Sequence, residues 1–155
     1  MAHWEDTLPA NDDTILMISG LGFQYSARGL TQTLFPISQT KQQKRTIDGT
    51  LVDVSNPAMR KYGSKISCTD TDAPPLDGLW PGMTVTVQCA IERSFLTYQN
   101  YVQQYPALPV VSGSLYTVGP LTLYRPELVM MIMDCPASFE EWKHDNGWSI
   151  DLEQV

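Results

Sequence analysis

From Met83 onward the chain alternates: Met83, Val85, Val87, Cys89 and Ile91 fall on one side, Thr84, Thr86, Gln88 and Ala90 on the other. Successive side chains of an extended backbone point to opposite faces, so a period of two predicts a strand with one buried face. Pro81-Gly82 is a turn pair that gives this strand its start. The strand is expected to run on past Ile91 toward Tyr98. Similar patterns predict strands over 14–19, over 28–35 up to Pro36, and over 62–68 with Tyr62, Ser64, Ile66 and Cys68 on one face. Residues 115–118 and 121–124 flank Gly119-Pro120 as another pair. Residues 128–133 are apolar on both faces, as expected of a strand covered on both sides. Residues 148–153 alternate again, with Trp148, Ile150 and Leu152 inward and Ser149, Asp151 and Glu153 outward.

The clearest hairpin is predicted at 45–54. Arg45-Thr-Ile47 and Thr50-Leu-Val-Asp-Val54 flank Asp48-Gly49, a pair favoured where both central residues need positive φ, as in a type I′ turn. One helix is expected near the C-terminus. Ser138-Phe-Glu-Glu141 has the spacing of a capping box and Gly147 follows as a stop. Residues 1–13 lack periodicity and read as an N-terminal arm, leaving 14–155 as a single β domain. Many short strands divided by Gly and Pro turns, with a single short helix, predict an all-β fold, an antiparallel β-barrel or β-sandwich.

At 155 residues the chain can bury a core without staples. No apolar run approaches the roughly 18 residues needed to span a membrane, and no membrane partner is expected. The N-terminal residues lack the basic-then-apolar layout of a signal peptide, so the chain is expected to be made in the cytosol and kept or assembled there. Cys68, Cys89 and Cys135 are widely spaced, with no Cys-x-x-Cys for a zinc ribbon or redox motif. Cys68 and Cys89 are expected inside as small apolar residues. The net charge is −7, yet residues 41–65 carry a local +4, leaving −11 on the remainder. So acidic a chain repels nucleic acid, and direct nucleic-acid binding is not expected. A charge-polarised molecule is suited to stacking head to tail against copies of itself or a neighbour.

Residue patterns that carry chemistry do not assemble. Gly20-Leu-Gly22 lacks the third glycine and the following helix of a dinucleotide site. Asp70-Thr-Asp72 has too few acids for a calcium loop. Ser112-Gly-Ser114 lacks the nucleophile-elbow setting, and His3 and His144 stand at opposite ends of the chain. A glycosidase-like carboxylate pair is permitted by the many acids but marked by no spacing. No catalytic, cofactor or metal residue is therefore assigned.

What remains are candidate subunit contacts. They are Trp4 in the arm, the basic residues Lys41, Lys44 and Arg45, the tyrosines Tyr98, Tyr101 and Tyr105, and Glu153 in the acidic tail. Trp80 and Trp148 are expected in the core, which leaves Trp4 and Trp142 as free aromatic surfaces. The four tryptophans and the tyrosine cluster motivate the alternative of a carbohydrate- or receptor-binding β module. A small hydrolase using Asp70 and Asp72 is a further alternative.

Five segments are distinctive as strings: Tyr25-Ser-Ala-Arg-Gly-Leu-Thr-Gln-Thr-Leu34, Lys65-Ile-Ser-Cys-Thr-Asp70, Leu76-Asp-Gly-Leu-Trp-Pro-Gly-Met-Thr-Val85, Tyr124-Arg-Pro126 and Gly147-Trp-Ser-Ile-Asp-Leu-Glu153. Together they resemble small virion structural proteins of tailed bacteriophages and prophages. The resemblance implies a non-enzymatic component of the virion, assembled in the host cytoplasm, whose partners are other virion proteins and copies of itself. It covers a tail, baseplate or neck component and a capsid decoration alike, and it brings no ligand residues with it.

Overall fold

Alternating residues become strands along most of the chain in a computed structural model that describes residues 16–19, 30–37, 42–70, 76–97 and 105–155. In chain order these are β1 (Met17–Ile18), β2 (Thr31–Pro36), β3 (Gln43–Arg45), β4 (Leu51–Asp53), β5 (Tyr62–Asp70) and β6 (Thr84–Gln88). They are followed by β7 (Arg93–Leu96), β8 (Tyr116–Val118), β9 (Leu121–Tyr124), β10 (Glu127–Asp134), β11 (Ala137–Glu140) and β12 (Asp145–Gln154). The main sheet runs β1-β6-β10-β12-β5-β2, antiparallel throughout, with β11 also paired to β12. It curls into a half-barrel, as the all-β expectation requires.

The concave side is the core. Val85 and Val87 of β6, Leu128, Met130 and Ile132 of β10, and Trp148, Ile150 and Leu152 of β12 all point into it. Ile66 and Cys68 of β5 meet them from the other side, and Leu16, Leu79 and Cys89 close the ends. The pairings Ile132↔Leu152 between β10 and β12 and Ile150↔Ile66 between β12 and β5 set apolar side chains directly opposite each other, and such cross-strand pairs are the unit of sheet stabilisation.

The strand predicted to continue toward Tyr98 instead breaks after Gln88. Residues 89–92 lie opposite only Arg125 and Pro126, because Gln88 pairs with Glu127 and Arg93 with Tyr124. Two extra residues on one strand force a bulged corner. There the β6/β10 ribbon leaves the main sheet and becomes the small sheet β7-β9-β8. The corner leans over the concave face. Gln32 of β2 donates from Nε2 to Ser64 Oγ (3.2 Å) and accepts at Oε1 from the Ala90 N–H (2.7 Å). Beside it the Arg93 guanidinium lies 5.2 Å from the centroid of the Tyr62 ring, a cation–π distance. The far edge of the curled sheet is thus tied to the corner.

The helix expected from Ser138 is a strand. Residues 137–140 pair with 145–148, and the Ser149 N–H donates to Pro136 O (3.1 Å), so β10 and β11 act as one long strand against β12. One isolated helical turn would be marginal in water, whereas the β12 ladder offers paired backbone groups. The Ser138 hydroxyl donates to Gly147 O (3.3 Å) rather than capping a helix. Gly147 is not a stop but a strand residue under Ser138: a Cβ there would sit 2.8 Å from Ser138 Oγ. Residues 141–144 form the connecting turn, with His144 at φ 53°.

Two tryptophans separate. Trp148 is buried as expected, but Trp80 is 75% exposed, because Leu79 takes the inward place as the chain turns through Pro81-Gly82. The outer face of β10 also departs from expectation. Val129 is 50% and Met133 48% exposed, so the strand is covered on one side only. The predicted arm at 1–13 lies outside the described residues.

Two substitutions should separate core from surface. Ile150→Ala is expected to cost about 2–5 kcal/mol of unfolding free energy, while Met133→Ala stays within about 0.5 kcal/mol, both read from urea denaturation midpoints. Gln32→Met keeps the volume but orphans the Ala90 N–H. Its expected cost is about 1–3 kcal/mol, and a midpoint equal to wild type would show that the corner does not depend on the amide.

Candidate interaction surface

The hairpin at β3 and β4 forms where the sequence places it, with a different turn. Lys44 pairs with Val52 and Arg45 with Leu51, and three residues close the loop. The Thr46 N–H donates to Thr50 O and the Gly49 N–H to Thr46 O, both at 2.9 Å. Gly49 has φ 80°, while Asp48 does not take positive φ. This is a type I turn followed by a left-handed glycine bulge, not the expected type I′ turn. Arg45 Nη1 donates to Gly49 O (2.8 Å) and locks the tip. At the base, hydrogen bonds from Ser55 and the nearby Arg60 hold the exposed Asp53 carboxyl below its usual range.

Every residue of both hairpin strands is exposed. Ile47 at the tip is fully solvated, and Leu51, Val52 and Val54 stand in water with it. A two-stranded hairpin has little stability of its own. Apolar side chains contiguous on such an element mark an interaction surface more often than a random surface does. The segment 42–61 also carries Lys44, Arg45, Arg60 and Lys61 against Asp48 and Asp53.

A second surface lies on the convex side of the main sheet. Val129, the half-buried Met131 and Met133 run down β10, with Met17 of β1 also exposed on this side. Carboxylates flank this stripe. Glu127 accepts from Gln88 Nε2 (3.2 Å), and Glu153 lies opposite Met131 across the β10–β12 ladder. Asp134 is paired with Asp151, Asp151 lies 3.9 Å from Lys65, and Lys61 Nζ donates to Val155 O (3.0 Å) just past β12.

Of the residues singled out as contacts, Lys44 and Arg45 fall together on β3 and Glu153 on the convex face of β12. Tyr105 is strongly exposed in the loop before β8. Trp4, Lys41, Tyr98 and Tyr101 lie outside the described residues. Trp142 stands on the turn between β11 and β12, 95% exposed. Ile47, Leu51, Val129 and Met133 were missed. Their signal was present, since both faces of 128–133 are apolar, but the sequence does not say which face remains open.

Among the described residues no group of three or more His, Cys, Asp or Glu residues is placed to hold a metal. A cavity of about 480 Å³ between β11, β12 and the end of β5 is lined by Thr31, Ser67, Thr69, Ser138 and Ser149 around Trp148. Among the described residues its lining also includes Cys68 and supplies hydroxyls but no carboxylate, imidazole or amine. Among the described residues no helix is long and apolar enough to cross a membrane. No protein-family model, curated protein or solved structure matches the chain.

No disulfide joins the three cysteines; Cys68 and Cys89 are buried and Cys135 is half-buried. Burial pushes the Cys89 thiol up, against smaller lowering effects of Gln32 and Arg125. The thiolate is the reactive form. A disulfide reagent at neutral pH should therefore modify Cys135 in the folded protein and reach Cys68 and Cys89 only after denaturation, as counted by intact mass.

Proposed function

We propose that this chain is a structural subunit of a virion, of the kind built by tailed bacteriophages, that associates with copies of itself and with neighbouring virion proteins and catalyses no reaction. The observation that carries this reading is the pairing of a rigid half-barrel with two uncovered apolar surfaces, the β3–β4 hairpin and the β10 stripe. A lone monomer gains nothing from holding Ile47, Leu51, Val129 and Met133 in water. An assembly subunit gains the area they bury on contact, at about 25 cal/mol per Å² before association costs. The resemblance of the five sequence segments to phage virion proteins supplies the kind of particle. Assembly in the host cytoplasm is part of the same proposal.

The exposed Trp142 favours a second reading, a carbohydrate- or receptor-binding role at the β11–β12 turn, since sugars stack on open aromatic faces. A glycan array that loses its signals in Trp142→Ala would support it, and an array without signals would remove it.

Co-expression with the products of the flanking genes tests the main proposal. Particles purified on a density gradient are expected to contain the chain at a fixed stoichiometry by quantitative mass spectrometry. Particles that form complete without it would overturn the proposal.

A further inference from the structure

Two surfaces of this chain are complementary to each other in both charge and polarity. The hairpin offers Lys44 beside Val52 on one face and Arg45 beside Leu51 on the other, with Ile47 at the tip between them. The convex face offers Val129, Met131 and Met133, with Glu127 at the head of the same strand and Glu153 opposite Met131 on β12. Cations with apolar residues face carboxylates with apolar residues. Methionine is well suited to the receiving side, because its unbranched chain adapts to an incoming surface.

We infer that the β3–β4 hairpin of one copy docks on the β10 stripe of a second copy, with Lys44 and Arg45 set against Glu127 and Glu153. The inference rests on the reading of the chain as an assembly subunit and names which surfaces meet. The hairpin residues that would be covered are exposed on both faces in the single chain. The covering charges are of opposite sign: segment 42–61 holds four cations and two carboxylates, with Lys61 held at its base by Val155 O, while β10 and β12 carry Glu127, Asp134, Asp151 and Glu153, with Lys65 of β5 beside Asp151. Opposite potentials steer the two surfaces together, and like potentials exclude them. Burying Ile47 and Leu51 on the methionines supplies the apolar centre that a charged rim alone lacks.

Charge exchange between copies tests this. One variant carries Lys44→Glu and Arg45→Glu, the other Glu127→Lys and Glu153→Lys, and each is measured beside wild type by sedimentation and light scattering. Wild type is expected to self-associate. Each variant alone sets like charges against one another and should weaken self-association on the order of a hundredfold. An equimolar mixture restores opposite charge at both kinds of contact and should recover the wild-type mass. Ile47→Asp provides a second variant that cannot fail through folding, because the residue touches solvent only, and it too is expected to be monomeric. A variant that keeps the wild-type mass alone, or a mixture that stays monomeric, overturns the inference. So does a strictly monomeric wild type, and that result leaves the virion proposal to its own test of particle composition.

Discussion

The structure depends on how the concave face of one curled sheet is kept dry. Six strands turn their apolar sides toward each other, and the register of all of them follows, since a slip of one residue would swap every inward side chain for an outward one. Curling brings the edge strand β2 toward the corner at 89–92, and the two are joined by a single side-chain amide. Gln32 uses both of its ends, donating to Ser64 and accepting from Ala90. Its position on the inward face of β2 would suit a leucine equally well by pattern. A leucine would fill the space and leave a backbone N–H without its acceptor, at the cost of an unmade hydrogen bond. At the corner Pro126 has no N–H to donate, and its carbonyl accepts from the Cys89 N–H at 3.0 Å.

The inner face is saturated with apolar contacts while the outer face is not, and the contrast has a physical meaning. Inside, buried side chains such as Ile66, Met130 and Ile150 leave no surface for a partner. Outside, apolar side chains are grouped on one hairpin and one strand rather than scattered singly, which is the arrangement that marks contact surfaces. Phe35 shows how the sheet covers its own gaps elsewhere: its ring lies over Gly63, where a Cβ would come within 2.6 Å of it. No comparable cover from the described residues reaches Ile47 or Val129.

Much of the architecture was legible in the residues. Alternation at 85–89, 62–68 and 148–153 assigned inward and outward positions correctly, because a period of two leaves no choice once one face is apolar, whereas Met83 at the start of the first run is 42% exposed. The turns were less legible. Asp48-Gly49 marked a hairpin but not the loop length, which depends on the pairing of Thr46 with Thr50. Ser138-Phe-Glu-Glu141 fitted a helix start locally and became a strand, since the ladder offered by β12 is a tertiary fact that no four-residue window contains. Trp80 was misplaced for a related reason. One residue before a turn decides which neighbour points inward, and Leu79 won that place. Of the contact residues, Lys44, Arg45 and Glu153 were visible as charges. Their apolar neighbours were visible only as strand formers.

The position of the hairpin in the chain has a mechanical consequence. It is inserted between β2 and β5, which are themselves paired, so both of its stems enter the main sheet side by side at Pro36 and Tyr62. A pull on its tip therefore draws β2 and β5 along their own axes as one unit. What resists is the β5–β12 ladder from Gly63↔Glu153 to Asp70↔Asn146, loaded lengthwise so that its bonds share the force. Peeling, which breaks such bonds one at a time, would require a pull across the strands. A graspable element rooted in this way can bear tension that its own three paired rungs could never hold.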